Sequence, residues 1–353
     1  MNLQDVRKRM SDIDGDLIQL LEERMELGLR AKRFKKETVD ESREEAVLSR
    51  VKHNDMALVE ETFAGSLFRV VIEESKRLQD QNRRLVGFQG DHGAYSEIAA
   101  RTLSPQAAHI PCSQFFDIFN GVEEGAFDWG VVPVENSLEG AVTEVNDLLS
   151  RTELKVVGEA VLPVHHCLLS SGDTSYREIR EVYSHPQALG QCRGFIERNK
   201  LSPRPFYDTA AAARMLRRDK PWAAAIASPL CASLYGLEVI KEHIEDDPSN
   251  STRFLMIGRD AFAGKGDKCS LVFSTAHESG KLFAALKLFA DADVNLTRIA
   301  SLPLRDDPGN YNFFLDFEGN DQDENITQIL DTLTSSTRSV RFLGSYPKAV
   351  HGE

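Results

Sequence analysis

Apolar residues return every three or four positions through Val6, Met10, Ile13, Leu17, Leu20 and Leu27, and no proline interrupts residues 1–84. That spacing predicts one long amphipathic helix over residues 3–36, about 50 Å long at 1.5 Å per residue. A second helix is expected from about Glu41 and a third from about Leu58 to Arg83. Three helices of such unequal length leave much of the longest one uncovered, which predicts a dimer in which the long helices pack together. From Leu85 the texture changes. The strand-like runs LVGFQ, WGVVPV, LKVVGEAVLPV, EVYS, WAAAIAS and FLMIG alternate with helical stretches and Gly- or Pro-bearing turns, the pattern of open α/β layers. The run Leu154–Ser170 suits a strand crossing between two lobes that enclose a cleft. After the polar linker DAFAGKGDK (Asp260–Lys268) come strand Ser270–Ser274, helix Gly280–Asp291, strands Val294–Ser301 and Tyr311–Phe317, helix Asp323–Ser335 and strand Ser339–Leu343. This βαββαβ order makes a small ferredoxin-like module. Three domains are expected, over residues 1–84, 85–260 and 261–353.

A chain of 353 residues accommodates that division. Its net charge of −13 argues against a general nucleic-acid binder. No N-terminal stretch has the apolar core of a signal peptide and no run approaches a membrane span. Cys112, Cys167, Cys192, Cys231 and Cys269 form no CxxC pair, which fits reduced thiols in a cytoplasmic protein. The HHC run at His165–Cys167 lies in an extended segment, so only His165 and Cys167 share a face, and no further ligands stand at zinc spacing. No metal is expected.

Charges break the helical stripe at informative places. The register after Leu20 lands on Arg24, and Lys35 follows three turns later on nearly the same face. Arg7 sits roughly 100° away round the helix, free to serve a neighbouring protomer. On the third helix Ser75 and Gln79 lie one turn apart inside the stripe Phe68, Val71, Ile72 and Leu78. The second helix opens with Asp40, Arg43 and Glu44. Single charges of this kind are usually snorkelling surface residues. Taken together, they would be explained by a small dianion held inside the bundle. Here residues 1–84 resemble the all-helical class of chorismate mutases. The resemblance implies that Arg7 of a partner chain and Arg24 clamp two substrate carboxylates with Ser75 assisting, that Lys35 and Gln79 donate to the ether oxygen, and that Asp40, Arg43 and Glu44 order the ring-hydroxyl end. A pericyclic rearrangement needs a compact conformer and well-placed charge rather than a nucleophile.

The middle region carries small polar residues at several strand ends, where open α/β sheets bind ligands. VGFQGDHGAYSE places three glycines between a strand and a helix in GxxGxxG spacing, which is not a dinucleotide fingerprint; a tight turn is the plain alternative, and Ser96 at that helix start is suited to a carboxylate. PVEN ends a strand in Asn136 and Ser137, SHPQ ends another in Ser184 with Gln191 beyond it, Asp208 or Thr209 caps a helix, and NSTRF sets Thr252 and Arg253 before a buried run beginning at Phe254. Ser184 beside His185 is no hydrolase dyad, because strand neighbours face opposite ways and no GxSxG elbow is present. Over residues 85–260 these motifs resemble prephenate dehydratase, which implies two periplasmic-binding-protein-like lobes around a cleft. Thr252 would assist loss of the ring hydroxyl; Arg253 would hold a carboxylate or order Thr252; Asn136, Ser184 and Gln191 would orient substrate, with Ser96, Ser137, Thr209 and Phe254 lining it. The turn QGDHGAYSE looks closer to arogenate dehydratases.

Residues 269–345 resemble the phenylalanine-binding ACT domain of this family. Gly280, Leu282 and Pro303 fit its pattern, VNLTRI offers Asn295 and Leu296, and Ala300 and Leu302 replace a Glu and an Arg. Gly280, Leu282, Asn295 and Leu296 are the expected effector contacts, with a dimerising scaffold as the alternative. The whole chain thus reads as a bifunctional enzyme of phenylalanine biosynthesis that needs no cofactor and acts on chorismate and prephenate. A mutase fused to an arogenate dehydratase and a non-catalytic amino-acid sensor are its rivals.

Overall fold

The structure, a computed structural model, describes residues 2–34, 41–52, 57–172, 174–216, 222–303 and 310–351. Lys35 and Asp40 lie outside them. The apolar register forms α1 (Leu3–Arg33), opened by a capping box in which Asn2 and Asp5 exchange backbone hydrogen bonds. α2 (Glu41–Lys52) and α3 (Glu61–Asp80) follow, α3 being shorter at both ends than its periodicity suggested. α3 packs closely on α1 at Gly28: a Cβ there would stand 2.5 Å from Ser75 Oγ, so a larger residue would require the serine hydroxyl to move. Much of the α1 stripe stays bare, with Met10, Ile13, Leu17, Leu20 and Leu27 each 46–61% exposed.

The first lobe is β1 (Leu85–Gln89), α4 (Tyr95–Leu103), β2 (Ala108–Cys112), α5 (Phe115–Glu123), β3 (Trp129–Asn136), the two-residue β4 (Gly140–Ala141), α6 (Thr143–Arg151) and β5 (Lys155–Pro163). The chain then crosses to β6 (Cys167–Ser170), β7 (Glu181–Ser184), α7 (Pro186–Gln191), α8 (Arg193–Arg198), β8 (Ser202–Pro205), α9 (Thr209–Met215), β9 (Ala223–Ala227), α10 (Pro229–Tyr235) and β10 (Glu238–Lys241), and returns through β11 (Ser251–Gly258). The run expected as one strand from Leu154 to Ser170 is therefore two strands of different sheets, broken at Val164–His166. β5, β11, β3, β1 and β2 lie side by side in the first lobe, with β11 antiparallel to both neighbours; β10, β6, β9, β7 and β8 make the second. Alanines let layers close up in the second lobe: Ala210–Ala213 of α9 are buried together with the alanines of β9.

The C-terminal module is β12 (Lys268–Ser274), α11 (Lys281–Asp291), β13 (Leu296–Pro303), β14 (Tyr311–Glu318), α12 (Glu324–Ser336) and β15 (Ser339–Tyr346), in strand order β13-β14-β12-β15. A final pair, β16 (Val350–His351), joins the edge of β5. One face of this sheet is covered by its own helices. The other packs on the first lobe, where Val272, Phe314, Leu343 and Tyr346 share a core with Val132, Val134, Leu255 and Ile257. Gly344, at φ 145°, allows β15 to pass against the backbone of β5: a Cβ would meet the Val156 carbonyl at 2.5 Å. Ala300 and Leu302 also rest on this shared core, so the residues standing in place of a charged pair form an apolar contact.

Candidate active sites

In the helical domain, α1 and α3 bring Arg24, Ser75 and Gln79 together. Gln79 Nε2 donates to Ser75 Oγ at 3.1 Å, and both side chains are buried. Arg24 donates to the Val71 carbonyl of α3 at 3.5 Å, and burial lowers its pKa from the ordinary guanidinium value. A half-buried cation without a carboxylate partner among the described residues suits a site awaiting an anionic ligand. Glu44 is engaged with Lys76 of α3 at 2.6 Å, and Arg43 is exposed. Arg7 is also exposed, and seventeen residues of helix place it about 25 Å from Arg24. It cannot share one chain's site. Gln79 also borders a cavity of about 400 Å³ where Lys32, Arg33 and Arg84 line the junction with the first lobe.

That junction holds a contact the sequence did not announce. Glu26, on the side of α1 turned to the first lobe, faces His92 Nε2 at 2.8 Å, while His92 Nδ1 lies 3.2 Å from Glu97. Burial opposes the imidazolium charge, but the two carboxylates outweigh it and raise the His92 pKa to about 10. Arg33 and Arg84 both pair with Asp128 nearby.

In the α/β region, β3 and β11 run antiparallel and pair Asn136 with Thr252. Asn136 Oδ1 accepts the N–H groups of Leu138 and Glu139 at 3.0 and 3.1 Å, which assigns its amide: Nδ2 points to Asn250 Oδ1 at 2.8 Å and Thr252 Oγ1 at 3.0 Å. The threonine hydroxyl is thus an acceptor from Asn136 and keeps its own proton available. Gln191, at the end of α7, donates to Glu139 at 3.1 Å and takes a bond from His166 Nε2 at 2.9 Å, linking the two lobes. Burial lowers the His166 pKa, so the ring is neutral with Nε2 protonated. Its buried Nδ1 has no partner among the described residues. His166, Glu139 and Asn250 were missed as site residues; only the position of the first at the lobe crossing could have drawn attention.

Several expected contacts are placed elsewhere. Ser184 is fully buried and its Oγ donates to the Ile226 carbonyl at 2.6 Å, so it ties two strands rather than facing ligand. Ser137 clips β3 to β11 by accepting from Ser251 N at 2.9 Å and donating to the Ser249 carbonyl at 3.3 Å. Phe254 belongs to the core with Phe88 and Val131. Ser96 is buried in the first turn of α4, and Thr209 is half-buried at the start of α9, behind the Asp208 cap. Of the two roles expected for Arg253, holding a carboxylate or ordering Thr252, the first needs correction. Strand alternation turns it away from Thr252, and it enters a polar cluster with Glu159, Asp316 and Tyr346 beneath the C-terminal module. It is not placed to hold a substrate carboxylate.

His165 does meet potential ligands from afar: His165, His243 and Glu245 bring donor atoms within 4.8 Å of one another, the one such group among the described residues. Glu245 already bonds His165 Nδ1 at 2.8 Å and the His166 N–H at 2.8 Å, which explains the group as a hydrogen-bonded clasp. In the C-terminal module a cavity of about 310 Å³ is lined by Leu282, His277, Ser301, Tyr311 and Phe313 among others, and Gly280 caps α11 beside it. Asn295 and Leu296 are not there. Leu296 begins β13 at its other end, about 17 Å from Ser301 at strand rise, and Asn295 directly precedes it.

The fold and these sites define a clefted α/β protein with a helical, anion-receptive domain ahead of it and a βαββαβ module behind. Family models match in the same order: "Chorismate mutase type II" over residues 6–80 and "Prephenate dehydratase" over residues 86–262. A bifunctional chorismate mutase/prephenate dehydratase of Aquifex aeolicus is 34% identical over 99% of this chain and 98% of its own. Arogenate dehydratase/prephenate dehydratase 2 of Arabidopsis thaliana is 39% identical over 77% of this chain and 75% of its own. The crystal structure of prephenate dehydratase from Arthrobacter aurescens in complex with L-Phe superposes with a TM-score of 0.69 at 32% identity, covering 75% of this chain and 90% of that one. The chain belongs to the family of bifunctional chorismate mutase/prephenate dehydratases, enzymes that join an isomerase to a carbon–oxygen lyase. No helix among the described residues is long and apolar enough to cross a membrane.

Proposed function

We propose that the helical domain rearranges chorismate to prephenate and that the cleft converts prephenate to phenylpyruvate with loss of water and carbon dioxide. In the first step Arg24 and a partner's copy of Arg7 bind the two carboxylates and Ser75 assists. Gln79, with Lys35, donates to the ether oxygen as the breaking bond becomes polar, and Arg43, Glu44 and Asp40 order the ring-hydroxyl end. The exposed α1 stripe supports the homodimer that this sharing of Arg7 requires.

In the second step the ring carboxylate leaves as carbon dioxide, its bonding electrons enter the ring, and the ring hydroxyl departs. Aromatisation supplies the driving force, so a hydrogen-bonded donor suffices. The observation that carries this reading is the Thr252 hydroxyl, held by Asn136 at 3.0 Å beside the contact between the lobes. Glu139, whose N–H donates to Asn136, and its partner Gln191 border the pair, and Ser96 and Thr209 are proposed as further substrate contacts. Thr252→Val keeps the shape and removes the donor; dehydratase kcat should fall ~100-fold or more while mutase activity stays. Unchanged dehydratase turnover would refute the assignment.

A second reading has a specific observation behind it: the 39% identity to a plant protein named for both arogenate and prephenate. Offering both substrates to the purified enzyme separates the two, and a large preference for arogenate would replace the first reading. The C-terminal module is proposed to act as an ACT-like sensor, with phenylalanine bound in the cavity beside Gly280 and Leu282. Because Asn295 and Leu296 lie at the opposite strand end, any part they take must come from a second copy.

A further inference from the structure

Asn136 and Thr252, the pair at the lobe junction, sit on adjacent strands whose next residues face the other way. On β3 the neighbour is Glu135; on β11 it is Arg253, and these two are themselves register partners. Both reach into the C-terminal module. Arg253 is gripped by Asp316 of β14 and by the Tyr346 hydroxyl at 3.2 Å, with Glu159 of β5 on its Nε at 2.7 Å. Glu135 faces Arg298 of β13 at 3.1 Å, and Arg298 also donates to Asn146 at 3.0 Å. The arms meet where Asp316 stands 3.8 Å from Arg298 and accepts from Ser270 at 2.6 Å. Asp316 and Arg298 are 3% and 7% exposed as side chains, and Arg253 is 11% exposed. The pairing of β11 with β3 shifts register between Arg253 and Phe254, directly after the paired residues. An irregular strand end of that kind is not held by its ladder alone.

We propose that the C-terminal module is a structural part of the dehydratase centre, with Asp316 and Arg298 as positioning residues that clamp the reverse faces of the two strands carrying Thr252 and Asn136. The proposal rests on Thr252 being the group that meets the departing hydroxyl. Without Asp316 the Arg253 guanidinium loses one of its two carboxylates and β11 is free to shift at its irregular end. The distance between Thr252 and Asn136 then changes, although neither has been touched. Misplacement of a reacting group by about 1 Å costs up to ~100-fold in turnover, whereas Gln191 on the other lobe is left in place. The expected signature is therefore a loss in kcat at nearly constant KM.

Asp316→Asn, Arg298→Gln and Glu135→Gln test the two arms separately in the full-length enzyme. Each should lower dehydratase kcat ~10- to 100-fold with KM for prephenate within about twofold and mutase kinetics unchanged. In a Thr252→Val background Asp316→Asn should cost nothing further, because the hydroxyl it positions is gone. Wild-type kcat in the Arg298→Gln and Asp316→Asn enzymes, with Thr252→Val inactive, overturns the clamp and leaves the role of Thr252 intact. Should Thr252→Val itself remain active, it is the reading of the site that fails. If Asp316→Asn does not fold, the outer variants Arg298→Gln and Glu135→Gln decide, and equal losses of both activities together with cooperative unfolding at lower temperature count against the proposal.

Discussion

Replacing Gly28 by alanine separates the geometry of the mutase site from the stability of the domain around it. The helical backbone at Gly28 accepts alanine, and a helix interior gains about 1 kcal/mol from that exchange. Against this, the new methyl group would lie 2.5 Å from Ser75 Oγ, about 0.9 Å inside an ordinary 3.4 Å contact, while Ser75 Cβ is clear at 3.9 Å. The cheapest relief is rotation of the serine hydroxyl. That breaks the 3.1 Å bond from Gln79 and costs about 1 kcal/mol, the net worth of a typical hydrogen bond. The two contributions nearly cancel. Gly28→Ala should therefore change unfolding free energy by less than about 1 kcal/mol, read from urea unfolding followed by circular dichroism. Mutase kcat/KM should nonetheless fall at least ~10-fold, since Gln79 loses the partner that aims its amide. Dehydratase activity on prephenate is the internal control. Wild-type mutase kinetics in a folded Gly28→Ala enzyme would refute the argument that the Ser75–Gln79 pair must be held as found.

Further outcomes follow from the same geometry. Arg24→Ala should lower mutase turnover ~100-fold or more and spare the dehydratase in parallel assays; equal loss of both without unfolding would mean the sites are not separate. Leu17→Glu puts a charge into the bare α1 stripe, where Leu17 is 52% exposed in the single chain; sedimentation velocity should then report monomers, with mutase activity lost and dehydratase retained. His92 has a folded pKa of about 10 against an ordinary 6.5, so its stabilising contribution is complete below pH 6.5 and is lost as pH rises towards 10. Thermal unfolding across pH 6 to 10 should show stability declining over that window, and His92→Gln should flatten the decline; an unchanged slope would remove His92 from the account.

Much was legible in the order of residues because the relevant signals are local. A three-and-four apolar register makes α1, and period-two runs make the strands. A cation inside a helical stripe marks Arg24 without any knowledge of its surroundings. Small polar residues at strand ends pointed to Asn136 and Thr252, and βαββαβ spacing outlined the C-terminal sheet. Alternation along β11 also required Thr252 and Arg253 to face opposite ways.

Which face carries ligand and which meets another layer was decided only by tertiary packing. Arg253 finds Asp316, 63 residues away, and Asn136 finds Thr252, 116 residues away. Neither separation leaves a trace in periodicity, because the partners belong to elements that approach only once the sheets have stacked. Ser184 was misplaced for the same reason: its hydroxyl is satisfied by a backbone carbonyl on a strand 42 residues further on. Ala300 and Leu302 show the rule from the apolar side. Their meaning depends on the first-lobe core behind them, on which both side chains are partly buried.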